Sequence, residues 1–189
     1  MDDEPVEFYS QQRWDNWLER IEEADLSDDE AATRLFLNLQ TDTAIAVAKV
    51  LEALEEGSID AERAGEELAT IQAIVYEAPD LETETALELV DAVQTSLVGV
   101  FTAADRHLAG ESAPGSSIEE LLEEAVEAED EEAYEAALEH VSAVGLHVIE
   151  GESLPVEPTQ ALEFGLVTEW LGGLDSLGEA LAGPKVVED

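Results

Sequence analysis

Leu35-Phe36-Leu37-Asn38-Leu39-Gln40-Thr41-Asp42-Thr43-Ala44-Ile45-Ala46-Val47-Ala48-Lys49-Val50-Leu51 is the stretch on which the reading of this chain turns. Its apolar residues do not alternate with polar ones, so it does not read as a half-buried strand. They cover nearly the whole circumference of a helix, and a helix apolar all round is surrounded by other helices. Outward from this run, the helix is expected to begin near Ser27 or Asp28 and to stop at Gly57, with a break near Thr41–Thr43. Acids at Asp28, Asp29 and Glu30 suit its positive N-terminal end.

The same logic finds a second apolar helix over Thr83–Ala109, where Leu87, Val90, Val93, Leu97, Val98, Val100 and Phe101 leave little polar surface. These two, second and fourth in order, are the expected central pair. Amphipathic helices flank them: Ser10–Ala24, with Trp14, Trp17, Leu18 and Ile21 as its stripe, and Asp60–Glu77, with Leu68, Ile71, Ile74 and Val75. Ser116 and Glu119 have capping-box spacing before a fifth helix over Ser117–Ala128. A sixth helix is expected over Glu131–Glu150 and a last one over Thr159–Leu181, weakened at Gly172-Gly173. No segment of useful length has period two. The fold class is all-α, a single-domain bundle of about seven helices. The domain spans 1–182, with a sub-boundary in the Gly/Ser/Pro segment 110–117 and a flexible acidic tail at 183–189.

The 189 residues carry 48 acidic and 7 basic side chains, a formal charge of −41. Disordered acidic tails combine high charge with low hydrophobicity, but here 45% of residues are hydrophobic, so a core can form. Repulsion on this scale opposes compaction at low ionic strength. At about 1 M salt the Debye length falls to roughly 3 Å and most of it is screened. With acids spread from Asp2 to Asp189 and lysine only at Lys49 and Lys185, the charge reads as adaptation to a cytoplasm of molar salt. A mimic of nucleic acid would concentrate its acids. The N-terminus shows no signal-peptide pattern and the apolar runs fall short of a membrane span, so the expected location is cytoplasmic, without membrane contact.

Catalytic and metal chemistry find little support. There is no cysteine. The residues three before His107, His140 and His147 are Ala104, Ala137 and Val144, so the Glu-x-x-His motif of di-iron bundles is missing. His140 and His147 share a helical face but lie about 10 Å apart along the axis, too far for one ion. No nucleophile elbow, phosphate-cradling loop or Ca²⁺ loop is present. Seven scattered basic residues make no nucleic-acid patch. Accordingly, no catalytic residue, cofactor or metal is assigned, and the chain reads as non-enzymatic.

Two groups of residues stand out. Asn38, Asp42, Lys49, Asp91 and Gln94 interrupt the apolar helices, and a buried charge must be paired. They are expected to form a buried polar network between helices, or alternatively a polar pocket holding a small molecule. Arg34 and Arg106 invite the same reading. The tryptophans Trp14, Trp17 and Trp170 read first as ordinary core packing; with Arg13 and Arg20 they also make a candidate interface, because aromatic and arginine side chains concentrate at hot spots. If the terminal helices meet, Phe8, Tyr9, Phe36 and Phe164 would join the tryptophans in one cluster.

The segments Phe8-Tyr9-Ser10 with Arg13-Trp14-Asp15-Asn16-Trp17-Leu18, Leu35–Gln40 through Ala46–Lys49, Val90-Asp91-Ala92-Val93-Gln94-Thr95-Ser96-Leu97 and Phe164-Gly165-Leu166-Val167-Thr168-Glu169-Trp170 resemble an archaeal domain-of-unknown-function family best represented in haloarchaea. The resemblance covers nearly the whole chain. It implies a cytoplasmic protein of a halophilic archaeon and brings no activity or catalytic residue with it. The functional expectation is therefore an interaction or adaptor protein whose partner is another protein or a second copy of the chain. A small-molecule binder or enzyme using the polar interhelical pocket is the alternative.

Overall fold

The computed structural model describes residues 7–183. Within them the chain forms eight helices: α1 (Gln11–Glu23), α2 (Asp29–Glu55), α3 (Ala61–Val75), α4 (Glu84–Leu108), α5 (Ile118–Asp130), α6 (Tyr134–Ile149), α7 (Val156–Gln160) and α8 (Leu166–Ala182). The fold is all-α. Apart from Gly183, the tail expected at 183–189 lies outside the described residues.

Local chemistry accounts for most helix ends. Ser10 caps α1 by accepting from the Arg13 N–H, Asp28 caps α2, and Asp60 and Thr83 cap α3 and α4. The capping box falls one residue later than the spacing suggests: Glu120 N–H donates to Ser117 Oγ at 3.2 Å, and Ser117 N–H to Glu120 Oε2 at 2.9 Å. Gly57 and Gly110 end their helices at φ of +75° and +90°, a region open to glycine at little cost. α2 runs unbroken through Thr43, whose hydroxyl donates to the Leu39 carbonyl at 3.1 Å without interrupting the helix.

The single helix expected from Thr159 to Leu181 is instead two. α7 is a short turn of helix over Val156–Gln160, and the chain breaks at 161–165 before α8. The start of α8 is capped from another element: Glu129 on α5 accepts from Leu166 N–H at 2.6 Å and Val167 N–H at 3.4 Å. A carboxylate across the first backbone N–H groups satisfies donors that a helix start leaves open. A Cβ at Gly165 would press on that carboxylate, which explains glycine there.

The centre differs in one respect from the expected pairing. α4 touches α2, α3, α6 and α8, and α8 touches α2, α4, α5 and α6, so α4 and α8 form the inner pair with α2 lying on both. Glycines make this approach possible. A Cβ at Gly173 on α8 would overlap the Ser96 carbonyl oxygen of α4, and one at Gly145 on α6 would overlap Ala103. Gly99 lies against Trp170, where a Cβ would stand 3.2 Å from the tryptophan Cβ. Of the Gly172-Gly173 pair, Gly173 therefore marks a close helix crossing. By length and apolar composition α4 would also serve to cross a membrane, but half of its most apolar window is buried by the neighbouring helices. One continuous apolar cluster joins Trp14, Trp17 and Ile21 to Leu39, Leu68, Leu97, Val144, Trp170 and Leu174.

Candidate functional site

α1 is held to α2 by a charged node. Asp42 is 2% exposed, and its Oδ2 accepts from Arg13 Nε at 2.8 Å and from Trp17 Nε1 at 3.0 Å. A second Arg13 nitrogen donates to Oδ1, making the pair bidentate. The guanidinium itself is 57% exposed, so one charge stays in water while the other is enclosed. Tyr9 closes the node from above. Its buried hydroxyl lies near Asp42 and Thr43 without a well-formed hydrogen bond to either. Burial, then the Asp42 charge, pushes its pKa well above the usual tyrosine value. Arg20 stacks over the Trp17 ring at 5.0 Å.

This node joins two groups that the sequence reading kept apart. Arg13 and Trp17 stood in the candidate interface and Asp42 in the candidate network. The remaining members of the network do not meet. Lys49 and Asp91 are exposed, Asn38 is half-buried, and Gln94 donates from Nε2 to the Val75 carbonyl at 2.7 Å, tying α4 to the end of α3. The surrounding helices do not enclose Lys49, because α2 keeps an outward side on which Lys49, Glu52 and Glu55 are exposed. The enclosed amide on α2 is Gln40, which accepts from the Ser176 hydroxyl of α8 at 3.1 Å.

The tryptophans of the candidate interface lie inside the molecule. Trp14, Trp17 and Trp170 are all buried, at 1%, 6% and 5% exposure, so their large rings serve the core. Trp170 packs on Gly99 of α4. Phe164 is outside any aromatic cluster and is 88% exposed. Of the other arginines, Arg34 pairs with Glu30 on the surface of α2. Arg106 binds Glu111 Oε2 at 2.9 and 2.7 Å, Ser142 Oγ at 2.7 Å and the Glu139 carbonyl at 3.1 Å, clamping the loop after α4 to α6. His140 pairs with Glu124 at 3.2 Å. His147 bonds the Ser116 carbonyl at 2.9 Å and pairs with Glu152.

At the start of α8, three carboxylates gather. Glu169 has its pKa raised by partial burial, then by the charges of Asp91 and Glu129. Among the described residues, no three His, Asp or Glu side chains are placed to hold a metal ion.

A groove with partly uncovered apolar side chains lies at α5 and α7. Leu122 and Val126 of α5 face Pro158 and Leu162 across a groove of about 520 Å³. Glu119, Glu123, Glu127 and Asp130 run along its α5 side. The segment forming the opposite wall also carries Val156 and Phe164, 66% and 88% exposed. Sequence reasoning missed this face. Its signal was the four-residue spacing of Leu122 and Val126 beside a carboxylate stripe, which reads equally well as an ordinary amphipathic helix.

No curated protein and no solved structure matches the chain at a significant level. The family model described as an uncharacterized protein conserved in archaea, DUF2150, matches residues 7–189. That match takes in every helix described above, and the chain belongs to this archaeal family.

Proposed function

We propose that the chain is a non-enzymatic interaction protein of a salt-adapted archaeal cytoplasm, and that its docking face is the α5–α7 groove. The observation carrying this reading is the uncovered apolar surface there: half-buried Val126, Pro158 and Leu162 on the two walls, with Val156 and Phe164 projecting nearby. Exposed apolar area of this kind, rimmed by charge, marks binding surfaces. The buried charges support a non-catalytic role. Asp42 and Glu67 each sit against an arginine, Arg13 and Arg63, and so are neutralised structural groups. The −41 charge fits solvent adaptation and does not select a partner by itself.

The test is comparative purification from a salt-adapted archaeal host, in about 2 M KCl so that diffuse attraction is screened. Tagged wild type and the folded variants Val126→Asp and Leu162→Ser are compared. The expected result is a set of proteins recovered with wild type and lost with both variants. Identical recoveries would remove the docking reading.

A further inference from the structure

Resting on that reading, we infer that the α5–α7 groove takes an amphipathic helix of a partner protein, with apolar side chains along one stripe and lysine or arginine along the flank that meets α5. The groove sets the shape. Its lining is side chains of α5 on one wall and, on the other, Pro158 of the short α7 and Leu162 in the turn after it, and no strand edge is present among the described residues to pair with an extended peptide. A helix satisfies its own backbone hydrogen bonds and can lie in such a groove through side chains alone. Glu119, Glu123, Glu127 and Asp130 follow one another at steps of four, four and three, so they occupy one face of α5. They span roughly 17 Å of axis, about three turns of an occupant helix.

Charge decides between occupants. A chain of −41 attracts cations everywhere, so positive charge alone does not choose this face; the apolar floor does. At about 1 M salt only charges a few ångströms apart still interact, so the rim carboxylates act on groups seated directly in the groove. A second copy of the chain is a poor occupant. Leu37, one of its exposed apolar side chains, has Arg34 one turn away on α2, but that end of α2 also brings Asp28, Asp29 and Glu30 against the carboxylate rim.

The probes are three fluorescent synthetic peptides: a leucine–lysine helix with one apolar stripe, a scramble of the same composition, and a leucine–glutamate version. Binding is measured by anisotropy in about 2 M KCl, and amide shifts of the labelled protein locate the site. The leucine–lysine helix is expected to bind at least about tenfold more tightly than either control. Shifts should centre on residues 119–130 and 156–162, and both Val126→Asp and Leu162→Ser should abolish the preference. Far-UV circular dichroism confirms that each variant is folded, and the two lie on opposite walls. Equal binding of the scramble, equal binding of the glutamate helix, or indifference to both variants overturns the inference. So does concentration-dependent self-association lost in both variants, which makes the occupant a second copy. If cellular recovery of partners depends on Val126 and Leu162 while no peptide binds, the docking reading stands and the cationic helix is wrong. If neither depends on them, both fall.

Discussion

Arg13 and Asp42 form an ion pair of unequal burial: the guanidinium is 57% exposed and the carboxylate 2%. The two halves should therefore respond differently to removal. Arg13→Ala leaves an enclosed carboxylate held only by Trp17 Nε1, and is expected to cost about 2–3 kcal/mol, discounted for the solvent around the arginine. Asp42→Asn leaves a solvated arginine and keeps an acceptor for Trp17, and should cost about 1 kcal/mol. Urea denaturation of the single variants and the double variant measures both values and their coupling. Equal costs would mean that the pair does not govern the seating of α1.

Tyr9 presents the opposite case, a buried hydroxyl that gains no well-formed bond. Tyr9→Phe removes a desolvated polar atom while retaining the ring. Stability should be unchanged or rise by up to about 1 kcal/mol. A loss of more than about 1 kcal/mol would show that the hydroxyl has a partner such as an ordered water.

Adjacent glycines on α8 give a sharp contrast. At Gly172 a new Cβ meets only Gln40 Nε2, at 3.6 Å, so Gly172→Ala should stabilise by about 0.5–1 kcal/mol through helix propensity. At Gly173 it would overlap the Ser96 backbone, which cannot move without shifting α4, and Gly173→Ala should cost about 3 kcal/mol or more. Thermal melts of the two variants should move in opposite directions.

Glu169 has a folded pKa raised by partial burial and by Asp91 and Glu129. A raised carboxylate pKa means that the folded state favours the protonated form. The charged form is thus a penalty at neutral pH, removed as pH falls through the raised value. Glu169→Gln should stabilise by a few tenths of a kcal/mol at pH 7, the charge being partly solvated, with the gain vanishing in acid. A gain persisting at about pH 3 would point to packing instead of charge.

Salt should act on the whole chain. Between about 0.1 M and 2 M KCl the melting temperature is expected to rise, as screening relieves repulsion among carboxylates on every face. Equal melting temperatures would count against adaptation to molar salt.

Helix content and most helix ends could be read from residue pattern because their causes are local. Ser10, Asp28 and Asp60 cap their own helices, and Gly57 and Gly110 stop theirs. What could not be read depends on which faces meet. The apolar run around Lys49 suggested enclosure, but α2 keeps an exposed side there, shared with Glu52 and Glu55, and the ammonium stays in water. Trp14 and Trp170 look alike whether they serve a core or an interface, since the same rings suit both. Arg13 and Asp42 were each noticed but not joined, because no spacing rule connects residues 29 apart on different helices. The break before α8 depends on Glu129, a residue on α5 that carries no local mark of its role.

The position of α8 has a consequence for how the protein comes into being. Gln40 and Ser176, bonded in the interior, are 136 residues apart, so the ribosome emits α2 long before the helix that closes over it. At roughly 5–20 residues per second, α2 waits on the order of ten seconds for its cover. During that interval the sides of α2, α4 and α6 that α8 will cover stay open, although these helices can already pack on one another. At low ionic strength the dense negative charge shared by every copy holds growing chains apart during that wait, whereas in molar salt the repulsion is screened and the open apolar sides set the hazard.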